Sequence, residues 1–220
     1  IGTIGEGDKH LILLGHIDTV SGFVPSRQEN NYIFGRGSVD AKGPLCSFVS
    51  AAARAKIGPG WKVSVIGAVS EEGNSCGAKH LREVYHPDMV VIGEPSSWNR
   101  ITLGYKGSIW ADYTVQRPQV HTAAKEENAC EAAVNFWKSL EAEIELINTG
   151  KKKVFEQLTP KLHAMSSSSD GFLETAHLSF NLRLPNSLSI NEVVKILQYL
   201  AVDARLNIET GEPAYLADKN

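Results

Sequence analysis

The 220-residue chain has few cysteines, and its three, Cys46, Cys76 and Cys130, include no pair at the close spacing of a metal-binding motif. An odd, scattered set of thiols excludes a disulfide framework and fits a reducing compartment, so a cytoplasmic protein is the expectation. Long apolar runs are missing too. Nothing approaches the ~18 consecutive apolar residues of a membrane helix, and no membrane partner is expected. One-sided charge is absent: 22 Lys and Arg stand against 25 Asp and Glu, a formal −3, which gives no basis for nucleic-acid binding. The chain opens on Ile1-Gly2-Thr3-Ile4 without a basic-then-apolar leader, so it is expected to be the middle of a longer protein.

What is present is a rhythm of short apolar runs and turn signals. His10–Gly15, Trp61–Val69 and Asp88–Gly93 have the composition of buried strands. Between them, 44–56 carries Leu45, Phe48 and Val49 at helical spacing, and 77–85 forms a shorter helical pattern. Strands alternating with helices predict crossover units and a mainly parallel sheet. In such sheets chemistry gathers at the carboxyl ends of the strands.

Beyond residue 100 the pattern becomes strand, helix, strand, helix, strand, an α+β order. The predicted strands are 101–116, bent at Gly104 or Gly107, then 176–184 and 206–215. The predicted helices are 123–148, with its glutamates on the wet side, and 189–202, capped by Ser189 or Asn191. Residues 165–171 (MSSSSDG) are expected to be an exposed loop. Two domains follow, 1–100 and 101–215.

The chemistry-bearing residues lie just after the apolar runs. Gly15-His16-Ile17-Asp18 puts an imidazole and a carboxylate two apart, on one face of extended backbone. There Asp18 can support whatever His16 holds. Gly35-Arg36-Gly37-Ser38-Val39-Asp40-Ala41-Lys42-Gly43 surrounds one aspartate with three glycines. Ser70-Glu71-Glu72-Gly73 places two like charges side by side, which repel unless a cation intervenes. One glutamate can then bind metal while its neighbour serves as base. Gly93-Glu94-Pro95 ends the third strand. Each segment alone has an ordinary structural explanation. Their common placement at strand ends favours one shared site.

The motifs GHIDTV, GRGSVDAKG, SEEG and IGEP, in that order, resemble the zinc-dependent peptidases and deacylases. That family includes acetylornithine deacetylase, succinyl-diaminopimelate desuccinylase, aminoacylase and glutamate carboxypeptidase. VIGEPSSWNRITLGYKGS is most similar to the branch that releases lysine or ornithine from an amino-group carrier protein, the LysW-lysine and LysW-ornithine hydrolases.

The resemblance implies a catalytic α/β domain, incomplete here, with an inserted α+β ferredoxin-like lid that also forms a homodimer contact. It implies two zinc (or cobalt) ions. His16 and Glu94 would hold one, Glu72 the other, and Asp40 would bridge both through a residue joined to Ala41 by a cis peptide. Glu71 would be the general base and Asp18 would orient His16. His121 would reach a neighbouring subunit's site, and Arg183 would bind a substrate carboxylate. The implied substrate is a small N-acyl amino acid or a carrier-protein conjugate. Family members carry a final histidine ligand after the lid, and no histidine follows His177. Two alternatives therefore stay open: a dipeptidase or carboxypeptidase of the same family, and a non-catalytic dimerisation fragment.

Overall fold

The computed structural model describes residues 1–97, 99–121, 123 and 125–218. They form two compact units, Ile1–Ile101 and Thr102–Asn220.

The first unit contains β1 (Gly2–Ile4), β2 (Lys9–His16), β3 (Arg27–Glu29), β4 (Tyr32–Phe34), α1 (Lys42–Arg54), β5 (Trp61–Ala68), α2 (Cys76–Val84) and β6 (Met89–Ile92). Its main sheet runs β1-β5-β2-β6. β5, β2 and β6 are parallel, while β1 adds an antiparallel edge that the sequence pattern did not announce. β3 and β4 form a separate hairpin, also unannounced. The composition of 88–93 predicts a buried strand, yet Met89, Val90, Val91 and Ile92 are all exposed. β6 pairs only with β2 and is an edge of the described sheet.

Parallel pairing aligns the strand ends that matter. His16 stands beside Ala68, and Leu14 beside Ile92. The Ile17 N–H bonds to the Ala68 carbonyl at 2.9 Å and the Gly93 N–H to the Leu14 carbonyl at 2.7 Å. Three chain segments therefore leave the sheet at one level.

The second unit contains β7 (Gly104–Tyr105), β8 (Gly107–Pro118), α3 (Ala129–Asn148), a 3₁₀ turn (Val154–Glu156), β9 (Thr159–Ser169), β10 (Leu173–Leu184), α4 (Ile190–Leu200), β11 (Arg205–Glu212) and β12 (Tyr215–Leu216). An antiparallel sheet runs β11-β8-β10-β9. Alternation puts Ile109, Ala111, Tyr113 and Val115 of β8 and Ala176, Leu178, Phe180, Leu182 and Leu184 of β10 on one buried face. They pack against Phe136 and Leu140 of α3 and Val193 and Leu197 of α4. Tyr113 stacks on Phe136 at 4.0 Å between ring centroids, and Trp137 meets Phe180 edge-on. Both helices open with reciprocal capping boxes, Asn128 with Glu131 and Ser189 with Glu192.

Four sequence expectations change in this unit. The serine-rich 165–171 is not a loop: it continues β9 to Ser169, with Ser166 opposite His177 and Ser169 opposite Glu174. Backbone pairing with β10 supplies what the polar composition does not. The turn is confined to Asp170–Phe172, where the Asp170 carboxylate accepts from the N–H groups of Phe172 and Leu173. The helix expected from 123 starts at Ala129, because the Asn128 cap fixes its first turn; positions 122 and 124 lie outside the described residues. The long strand expected from 101 is interrupted at Lys106, which separates β7 from β8, and the last strand breaks at Pro213–Ala214.

His10 is a buried polar group with a structural role. Its Nε2 and the Ser64 hydroxyl are 2.8 Å apart, and the Ser64 hydroxyl in turn bonds to Thr3. Burial, then the charge of Lys62, lowers the His10 pKa, against a smaller opposing pull from Asp88. The unfolded chain therefore takes up a proton before the folded one. Relative to a His10→Gln variant, the wild type should lose stability as pH falls through the ordinary histidine value of 6.5. Denaturant titration of both proteins across that range checks this. A pH-independent difference would contradict it.

Candidate metal centre

The end of β2 delivers His16 into a site where the ring is almost wholly buried, at 1% exposure. Its Nδ1 lies 3.0 Å from the main-chain carbonyl of Asp18. A carbonyl only accepts, so Nδ1 carries the proton and Nε2 points the other way. Nε2 faces acids: Asp40 Oδ1 at 3.0 Å, Glu71 Oε2 at 3.8 Å and Glu94 Oε1 at 3.8 Å. Ligand atoms of His16, Asp40 and Glu72 lie within 4.8 Å of one another, as do those of His16, Glu71 and Glu94.

Local backbone explains each placement. The Asp40–Ala41 peptide is cis, and Ala41 is fully buried. Gly37 has φ +77°, and a Cβ there would come within 2.7 Å of Thr19. Ser70 adopts φ +59° just before the glutamate pair, while its carbonyl accepts from the N–H groups of Gly73 and Ser75. Gly93 precedes Glu94, and a Cβ there would press into the Phe48 ring of α1 at 2.6 Å.

Asp18 acts differently from the sequence expectation. Its carbonyl, not its carboxylate, is the partner of His16 at hydrogen-bond distance; the carboxylate is 3.6 Å from Nδ1. The carboxylate instead accepts from the backbone N–H groups of Glu71 at 3.2 Å and Glu72 at 3.1 Å. Burial opposes ionisation, but these two bonds, together with the Asp18 backbone N–H and the charge of His16, hold the Asp18 pKa below the usual value. Asp18 thus ties the end of β2 to the turn after β5.

The electrostatics call for a cation. Burial raises the pKa of Glu71, as do Glu72, Asp40 and Asp18, against the opposing charge of His16. Burial raises that of Glu94 as well, followed by the charge of Glu71. Burial disfavours the charged form of His16, but the Asp40 bond and the fields of Glu94 and Glu71 outweigh it and raise its pKa. Four carboxylates around one imidazole are unbalanced without added positive charge. Imidazole nitrogen and carboxylate oxygen are the donors that zinc and similar ions accept. The donor set therefore fits a divalent metal.

Of the sequence-derived candidates, His16, Asp18, Asp40, Glu71, Glu72 and Glu94 converge in the first unit. Glu71 stands as close to His16 as Glu94 does, so distance does not separate base from ligand. His121 and Arg183 belong to the second unit. His121 is exposed, and its Nδ1 accepts from the Ala123 N–H. Arg183 is exposed at the end of β10 and donates to the Lys106 carbonyl at 3.2 Å.

Residues 12–217 match the Peptidase family M20/M25/M40, and the chain belongs to this metal-dependent family. Within it, the chain is 37% identical to the [LysW]-lysine hydrolase of Deinococcus radiodurans over 196 residues, 86% of this chain and 54% of the relative. It is 34% identical to the putative [LysW]-lysine/[LysW]-ornithine hydrolase of Thermococcus kodakarensis over 215 residues, 98% of this chain and 55% of the relative. The chain thus spans about half the length of these curated relatives. Among solved structures it is similar in fold to an M20 family metallo-carboxypeptidase from Sulfolobus solfataricus. That match has a TM-score of 0.66 at 17% identity, covering 97% of this chain and 65% of that one. The aminopeptidase PepT of Bacillus cereus gives 0.67 at 17%, covering 99% and 63%.

Replacing Asp18 by alanine should weaken divalent metal binding by ~10–100-fold, the usual cost of removing a group that orients metal ligands. Competition with a chromophoric chelator measures this. Unchanged affinity would show that the Asp18 carboxylate does not position the site.

Proposed function

We propose that the chain is the core of a metal-dependent amide hydrolase of amino-acid biosynthesis, of the deacylase type, which releases lysine or ornithine from a carrier-protein conjugate. The observation that carries this reading is the gathering of Asp40, Glu71, Glu72 and Glu94 around the Nε2 face of His16. The names of the curated relatives, [LysW]-lysine and [LysW]-ornithine hydrolases, support the substrate class.

In this reading His16, Asp40, Glu72 and Glu94 would hold two zinc or cobalt ions. When bound, such ions acidify a water and stabilise an oxyanion. The protein's own groups do the rest. Glu71 takes the proton of the attacking water and passes it to the leaving amine. Asp18 fixes the backbone of Glu71 and Glu72 through its two hydrogen bonds. The Asp18 carbonyl fixes the tautomer of His16, leaving Nε2 as the donor atom.

The second unit is proposed as a ferredoxin-like lid and homodimer contact. Its strand–helix–strand–strand–helix–strand sequence and its order β11-β8-β10-β9 support that assignment. In the dimer, exposed His121 is assigned to the partner's reaction centre as a hydrogen-bond donor to the tetrahedral intermediate. Arg183 is assigned to the substrate carboxylate. A cytoplasmic location accords with free, exposed cysteines. No helix among the described residues is long and apolar enough to cross a membrane.

Glu71→Gln keeps the size of the side chain and removes the base. In the full-length protein it should lower kcat by ~10²–10⁴-fold. Hydrolysis of an acyl-lysine, with metal content measured on the same samples, tests this. Full activity in the variant would end the assignment of Glu71.

A further inference from the structure

We propose that Ser75 is a positioning residue for Glu71: together with Asp18 it locks both peptide groups that flank this glutamate. Its part in turnover rests on the hydrolase reading above.

The backbone around Glu71 is held from two sides. On one side the Asp18 carboxylate accepts from the N–H groups of Glu71 and Glu72. On the other side Ser75 donates twice. Its N–H bonds to the Ser70 carbonyl at 2.7 Å, and its hydroxyl to the Glu71 carbonyl at 3.3 Å. The peptide between Ser70 and Glu71 therefore has its carbonyl on Ser75 and its N–H on Asp18. The peptide between Glu71 and Glu72 is engaged in the same way. Rotating either peptide breaks a bond on each side, so the pair fixes the direction in which the Glu71 side chain leaves the turn. Glu71 is as near to His16 as Glu94 is, so its orientation, rather than its distance, decides whether it meets water or metal.

Local structure shows Ser75 diverted to this task. It stands at the N-cap of α2, where a serine hydroxyl ordinarily accepts from helix N–H groups. Here the hydroxyl makes no such bond. The Asn74 side-chain oxygen serves the helix instead, accepting from the Cys76 N–H at 3.1 Å. Ser75 also has φ +53° and ψ +31°, a conformation that glycine adopts more readily. Both features forgo local stability, and a residue held in that region points to a role beyond the fold. The first turn of α2 keeps it there. The Gly77 N–H donates to the Val69 carbonyl at 3.2 Å, and the Lys79 ammonium to the Asn74 carbonyl at 2.8 Å. Asn-Ser ahead of a helix is an ordinary cap signal, so nothing in the sequence sets Ser75 apart.

The test compares full-length wild type with Ser75→Gly, Ser75→Ala and Ser75→Thr. Ser75→Gly removes the hydroxyl and the left-handed strain together, so it should unfold at a higher temperature than wild type. Its kcat on an acyl-lysine should nevertheless fall by about tenfold to hundredfold, the effect of a small misplacement of a reacting group. KM and divalent-metal affinity, the latter from chelator competition, should change far less. Ser75→Thr keeps the hydroxyl on a β-branched residue that resists positive φ. It should be less stable than Ser75→Gly, yet recover most of the kcat lost in Ser75→Ala. Activity that follows stability across the series, or a fall in kcat matched by an equal fall in metal affinity, would overturn the assignment. The lock itself is read by amide hydrogen exchange in the metal-free protein. The Glu72 N–H should exchange about threefold to tenfold faster in Ser75→Gly than in wild type, the effect of losing one neutral hydrogen bond. Faster exchange in a protein whose wild type cleaves no amide would uphold the lock and end the hydrolase reading alone. Unchanged exchange would overturn the lock while leaving that reading in place.

Discussion

The repulsion among Asp40, Glu71, Glu72 and Glu94 is the constraint around which the first unit is arranged. Burial and the neighbouring negative charges raise the proton affinity of Glu71 and Glu94 beside the buried imidazole. A fold has reason to keep such a cluster only if a cation completes it. The parallel sheet meets the geometric need by ending three strands at one level, fixed by the Ile17–Ala68 and Gly93–Leu14 backbone bonds. Functional side chains then require only one or two residues of turn to reach a common point, the placement that parallel α/β sheets favour.

Rigidity comes from a few supports around those turns. The Asp18 carboxylate binds two consecutive N–H groups, so the two glutamates share one orientation control. Ser70 in the left-handed region and the close contact at Gly93 leave little freedom at the entrances to Glu71 and Glu94. The second unit draws its stability from a separate source, the apolar face of β8 and β10 under α3 and α4.

Most of the cluster was legible in the sequence because His16, the Glu71–Glu72 pair and Glu94 fall just after apolar runs, and strand ends are the least ambiguous landmarks of a parallel sheet. The period of the strands placed His16, Glu72 and Glu94 at strand ends, and the family resemblance supplied their expected roles. Asp40 needed the glycines that flank it. The role of Asp18 was half legible: its spacing from His16 indicated support, but which of its oxygens meets the imidazole depends on where the turn after β5 lies. Strand β9 was illegible because its serines carry no apolar alternation, and its pairing is supplied by β10. The start of α3 was misplaced because the glutamates before Asn128 have good helix propensity, and the cap overrides it.

The account turns on whether this acidic cluster holds metal through His16. Crystals of the full-length protein soaked in zinc, with diffraction recorded on either side of the zinc absorption edge, test that directly. The account predicts two anomalous peaks, one at about 2.0–2.1 Å from His16 Nε2 and both within bonding distance of the Asp40 carboxylate. Zinc bound elsewhere, with His16 and Asp40 still paired only to each other, would contradict it.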